Sequence, residues 1–151
     1  MNEKRLEFQG KYYVNTTLEI AWPKFFDPET IKKLFPYVES LQVLGRGAYF
    51  LTMKMPVWGL PGDIWMRVDT LDVAEKKRVV YRGVGSGVGT SFTIELVLTF
   101  NEVANGFEVL WKADLKLSGR ILSLPEKVIE KTSKRIIDKV GRNLGELARG
   151  G

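Results

Sequence analysis

Any proton transfer by this chain has to run without the usual side chains. The sequence contains no cysteine and no histidine. That excludes thiol nucleophiles, Ser-His-Asp triads, zinc sites built on those residues, haem ligation by histidine and disulfide frameworks. A general acid or base must then be a carboxylate, a lysine or a tyrosine, and the candidates are Asp63, Asp69, Glu95 and Tyr81. Local alternation puts Asp69 and Glu95 opposite the apolar residues of their segments, toward solvent. No convergent pair is legible, so no catalytic residue is assigned and the balance tips toward binding. A second chemical feature is Gly83-Val84-Gly85-Ser86-Gly87-Val88-Gly89. It follows a strand pattern as a phosphate cradle would, but no helix opens after it and valine at 88 breaks the G-x-G-x-x-G spacing. A flexible hairpin is the expectation.

The formal net charge is +5 over 151 residues. That suits an acidic partner or an anionic membrane surface, where each basic group contributes about 1 kcal/mol. It suits plain solubility equally well. Nucleic acid is a poor fit, since no exposed aromatic platform interleaved with Lys and Arg is legible. No apolar run approaches the roughly 18 residues of a bilayer span, and the charged start, Met1-Asn2-Glu3-Lys4-Arg5, leads into no signal-peptide core. With no internal repeat and no linker, residues 1–151 are expected to form one cytoplasmic domain, able to bury about 70% of its unfolded surface.

The elements follow from spacing. Leu6, Phe8, Tyr12, Val14, Thr16 and Leu18 alternate with polar residues as a half-buried first strand. A short helical stretch over residues 19–26 comes next, with Pro23 tolerated near its first turn. Asp27-Pro28-Glu29 reads as N-cap, N1 proline and a dipole-favoured acid, opening a second short helix that must stop before Pro36. A meander follows: Leu41 and Val43; a turn at Gly45-Arg46-Gly47; Tyr49, Leu51, Met53 and Met55; Ile64, Met66 and Val68; Val79, Tyr81 and Gly83. The last two strands place Phe92, Ile94, Leu96, Leu98 and Phe100 on one face, then Phe107, Val109, Trp111, Ala113, Leu115 and Leu117. Asn105-Gly106 marks the tight hairpin between them. Finally Ile121, Val128, Ile129, Ile136, Val140, Leu144 and Leu147 recur at helical spacing over residues 121–149. Ser123 is the expected N-cap, Pro125 sits in the first turn, and Lys127, Lys131, Lys134, Asp138 and Arg142 form the opposite face.

Strand, two short helices, six antiparallel strands and one long helix make the helix-grip order, an α+β architecture in which a curved seven-stranded antiparallel sheet grips the last helix. On this order the chain resembles the START-like superfamily and, within it, the family of the carbon monoxide dehydrogenase G subunit. The likeness is carried by Trp22 followed by Asp27-Pro28-Glu29, by Leu34-Phe35-Pro36 through Glu39-Ser40-Leu41, by residues 45–49, and by Gly83, Gly85, Gly87 and Gly89. Tyr37 departs from it, standing after Pro36 where the family usually has glycine, and Pro23 is unusual. Many members continue into an apolar or amphipathic tail. The resemblance implies a binding protein with a lipid or quinone-like molecule in a cavity between sheet and helix, and no other cofactor and no metal. It implies a partner too, a membrane-associated molybdenum CO dehydrogenase, with peripheral contact at the inner membrane face. The rival within the same fold is a cyclase, dehydratase or hydrolase, and a third possibility is a ligand-free scaffold.

On that reading the expected cavity residues are Phe8, Tyr12, Tyr49, Met53, Met55, Met66, Tyr81, Phe92 and Trp111 from the sheet, with Thr132, Ser133, Ile136 and Val140 from the helix. Pliable methionines and aromatics suit an adaptable apolar site; a filled core would use the same residues. Val57, Trp58 and Leu60 lie in an apolar loop that could touch a membrane, gate the cavity or fold over the sheet edge. The basic face of the helix could meet lipid headgroups or an acidic partner, or stay solvated. Gly141 and Gly145 are expected to loosen the last turns of the helix and let it act as a movable wall.

Overall fold

A computed structural model describes residues 2–54 and 62–148. Seven strands form one antiparallel sheet in the order β1-β7-β6-β5-β4-β3-β2. They are β1 (Lys4–Val14), β2 (Val38–Gly45), β3 (Ala48–Lys54), β4 (Asp63–Ala74), β5 (Arg78–Gly87), β6 (Thr90–Val103) and β7 (Gly106–Gly119). The short helices α1 (Leu18–Ala21) and α2 (Pro28–Leu34) separate β1 from β2, and the long helix α3 (Glu126–Ala148) follows β7. All the expected elements are present in the expected order. One face of the sheet supplies the core, where Leu51, Val68, Val79, Leu98, Val109 and Leu117 are fully buried.

Several boundaries differ from the sequence reading, each for a local reason. Thr16 and Leu18 do not extend the first strand. Thr17 accepts a hydrogen bond from the Ile20 amide at 3.3 Å and so caps α1, which Leu18 begins. The expected single helical stretch then tightens into a 3-10 helix, Trp22–Phe26, with Pro23 in its first turn. Asp27 caps α2 as expected, its Oδ1 accepting from the Glu29 amide at 3.0 Å, and the chain is extended by Phe35, before Pro36.

The late helix starts five residues after the expected point. Arg120–Ser123 is a separate 3-10 turn that buries Ile121. Ser123 does not cap α3; its hydroxyl donates to the Arg120 carbonyl at 2.7 Å and closes that turn. The Pro125 carbonyl receives the first helical amides, from Val128 and Ile129. The buried line of α3 runs through Ile129, Ser133, Ile137, Val140 and Leu144. Val128 is off it, 41% exposed, because one residue turns the helix by about 100°.

Two hairpins also resolve differently. Ala104 and Asn105 form the β6–β7 turn, with Asn105 at φ 67°, while Gly106 opens β7. The β5–β6 connection is tight, with Val88 and Gly89 at φ 54° and 75°, the left-handed pair that suits a two-residue hairpin. Gly83, Gly85 and Gly87 are therefore strand residues of β5, not turn residues.

Candidate functional site

Alternation fixes which side chains face α3, and the glycines of β5 decide where the space is. Met66 of β4 pairs with Gly85, Gly85 with Phe92 of β6, and Gly83 with Ile94. Both glycines face inward without side chains, so their neighbours lean over them. A β-carbon on Gly83 would lie 2.7 Å from Met66 Sδ and 2.9 Å from Ile94 Cγ2, and one on Gly85 would lie 2.5 Å from Phe92 Cζ. Beneath α3 this leaves an apolar cavity of about 60 Å³. Met53, Ile64, Met66, Phe92, Ile94 and Leu115 line it from the sheet; Ser133, Ile136, Ile137 and Val140 from α3; Phe35 and Pro36 from the corner between α2 and β2. Ser133 is the one polar side chain among these lining residues and is almost fully buried.

Of the residues expected from sequence, Met53, Met66, Phe92, Ser133, Ile136 and Val140 come together at the cavity. Met55, Val57, Trp58 and Leu60 lie outside the described residues. The others stand elsewhere. Tyr49 and Tyr81 point into the same core, but toward the short helices. The Tyr81 hydroxyl donates to the Phe25 carbonyl at 2.7 Å, and burial, with Tyr49 nearby, pushes its ionisation well above the usual tyrosine range. Burial and the Asp27 carboxylate raise that of Tyr49 in the same direction. Thr132 is half-buried on the flank of α3, one residue away from the buried line.

Trp111 lines no part of the cavity because it is clamped. A β-carbon on Gly10, its partner in β1, would lie 2.6 Å from Cε2, and one on Gly141 would lie 2.9 Å from Cζ2. Its Nε1 is buried with no hydrogen-bond partner among the described residues. Likewise a β-carbon on Gly145 would lie 2.9 Å from Tyr12 Cδ1. These glycines do not loosen α3; they let it approach β1 closely enough to seat two aromatic rings. Phe8 and Tyr12, on that edge strand, open to two surface grooves of about 400 and 570 Å³ that share Lys131 and Lys134. The first also carries Lys127, and the second Arg135, Asp138 and Arg142.

The candidate acids do not converge. Asp69 is held by Arg67 at 3.0 and 3.2 Å along the outer face. Glu95 lies on that face between Arg82 and Asp114 in register, and Asp63 is exposed at the start of β4. Among the described residues no cluster of three or more acidic side chains is placed to hold a metal ion.

A sequence profile for CoxG, the G subunit of carbon monoxide dehydrogenase, matches residues 10–148. The chain belongs to that family. No curated protein matches it. Among solved structures, a conserved protein from Geobacillus kaustophilus is similar at 16% identity and TM-score 0.81, covering 95% of each chain. A START superfamily protein from Mycobacterium smegmatis is similar at 13% identity and TM-score 0.68, over 95% of this chain and 97% of that one. The Zhui aromatase/cyclase from Streptomyces sp. R1128 follows at 14% and 0.59, over 99% and 93%. At these identities the likeness is one of fold, and it makes this CoxG-family fold START-like.

Proposed function

We propose that this CoxG-family protein binds an apolar small molecule, a lipid or a quinone-like compound, between its sheet and α3. In this reading it serves as carrier or accessory protein to a membrane-associated redox enzyme such as a molybdenum CO dehydrogenase, on the cytoplasmic side with peripheral membrane contact. No helix among the described residues is long and apolar enough to cross a membrane. The observation that carries the proposal is the cavity lining, apolar throughout except for Ser133. Such a wall favours an apolar body by about 25 cal/mol per Å² covered, and a single hydroxyl suffices to orient one polar end.

The size sets a condition. A void of about 60 Å³ is of a size for a few waters, whereas ligand sites span about 300–1,000 Å³. Binding therefore requires the cavity to widen. Met53 and Met66 are unbranched and repack readily, and Phe92 and Ile136 are only half-buried. Against a cyclase-type role, no titratable side chain stands among the described lining residues, and the hydroxyl of Tyr81 is committed to a backbone carbonyl.

The test is native mass spectrometry of protein purified from its own host, before and after organic extraction, followed by titration with a quinone and with a fatty acid. One ligand per chain is expected, with uptake lost in Ile94→Phe, which fills the void. A wild-type protein that carries no lipid and takes up neither compound refutes the proposal.

A further inference from the structure

The cavity has one wall that is neither strand nor helix. Phe35 and Pro36 belong to the corner between α2 and β2, and they meet the void together with Ile136, Ile137 and Val140 of α3. The other side of the void is sheet. Ile64, Met66, Phe92, Ile94 and Leu115 sit on strands whose ladders are paired through them, so that wall can widen by side-chain repacking only, since moving its backbone would break hydrogen bonds. The corner has no ladder to α3: beside the burial of Leu34 and Phe35 in the core, it is tied by two polar contacts. Lys139 Nζ donates to the Tyr37 hydroxyl at 3.0 Å and stands 4.7 Å from the ring centroid. Asn143 Nδ2 donates to the Leu34 carbonyl at 3.1 Å. Beyond the corner, β2 is an edge strand with register shifts near both ends and no buried residue, so it resists displacement weakly.

Tyr37 is also strained. Its φ of 64° lies in the left-handed region that residues with a β-carbon avoid. A bulky aromatic is held there by two ties: its ring and hydroxyl engage Lys139, and its carbonyl accepts from the Lys54 amide of β3 at 3.3 Å, so losing Lys139 leaves one tie against the strain. The closed corner thus combines a strained hinge with a surface tie, directly in front of a cavity too small to be in its ligand-bound shape.

The geometry points to the corner at residues 34–37 as the door of the cavity, with Tyr37 and Lys139 as the latch that holds it against α3. This rests on the ligand-binding proposal and adds the route by which an apolar molecule enters. Because the latch re-forms once the ligand is inside, it governs rates more than affinity.

Stopped-flow uptake of a fluorescent polyene fatty acid tests it. Lys139→Met keeps the aliphatic stem and removes both the hydrogen bond and the cation–π contact, so association and dissociation should each quicken about tenfold. Tyr37→Phe keeps the ring under the ammonium and should quicken them about threefold. Kd should stay within about twofold in both variants. Rates equal to wild type in both variants overturn the latch. In Tyr37→Cys with Lys139→Cys, in a chain that has no other thiol, a short bis-maleimide cross-link should stop uptake, and continued uptake overturns the door. Hydrogen exchange supplies a readout without ligand: amides of residues 35 and 37–40 should exchange faster in the same order of variants, with β6 and β7 unchanged. If wild type and variants take up neither the fatty acid nor a quinone, the binding proposal fails, and unchanged exchange at residues 35 and 37–40 would separately refute the latch.

Discussion

Gly141→Ala should destabilise the protein although alanine is the better helix former. In a free helix interior the change gains about 1 kcal/mol. Here the added methyl would stand 2.9 Å from Trp111 Cζ2 and 3.1 Å from Cε2. The ring cannot retreat, because its other neighbour is Gly10, whose backbone already leaves no room for a β-carbon. Overpacking of this kind costs about 1–3 kcal/mol. Less the propensity gain, the net loss should be about 0–2 kcal/mol, a fall in Tm of up to roughly 8 °C for a chain of this size. The same substitution in a Trp111→Leu background meets an open space and should stabilise by about 1 kcal/mol, so the two sites should couple by about 1–3 kcal/mol. Urea denaturation of the four proteins, followed by far-UV circular dichroism with matching m-values, measures all of these. Stabilisation by Gly141→Ala in the wild-type background, or an equal loss in both backgrounds, would refute the clamp.

Three further outcomes follow from particular contacts. Val88→Asn relieves a β-branched residue at φ 54° and should raise stability by about 1 kcal/mol, readable as a higher urea midpoint. Tyr81→Phe leaves the Phe25 carbonyl without its donor and should cost about 1–2 kcal/mol at neutral pH. Its pH dependence has a definite sign. The folded state holds Tyr81 protonated above its ordinary range, so that contribution is complete below about pH 10 and is lost as pH rises and the unfolded chain ionises, by up to 1.4 kcal/mol per pH unit. Tyr81→Phe should therefore lose stability less steeply than wild type between pH 10 and 12, and equal slopes would count against it. Lys4, bonded to Glu126 and Glu130, ties β1 to the start of α3 at the surface. Its replacement by methionine should change the salt dependence of unfolding more than the stability itself.

Strand identity was legible because period two survives wherever one face is buried, as in Ile94, Leu96 and Leu98 against Glu95 and Thr99. Position along the inner face was not legible. Tyr49, Tyr81 and Trp111 are as inward as Met66, yet α1, α2 and the paired glycines claim them before any cavity can. Ile94 and Leu115 were missed as lining residues although they pair directly, since register depends on turn lengths that single residues shift. One signal was available: glycine at every second position from 83 to 87 removes the side chains that would otherwise fill the space. The departure at Tyr37 was visible in sequence as a residue in place of glycine, but its partner Lys139 is 102 positions away, beyond the reach of any local pattern.

The pairing of β1 with β7 joins Lys4 to Leu117 and Val14 to Phe107, and α3 packs back on the same first strand. An apolar face made early in synthesis therefore waits for segments made last. Until residues 106–148 have left the ribosome, the inner side of β3 to β6 has only the segment of short helices for cover, and much of its apolar surface stays open to other chains. Such a topology has high contact order and folds slowly for its length. The nascent protein should depend on a holding chaperone during translation, and truncation before Glu126 should yield an aggregating product, not a smaller binding domain.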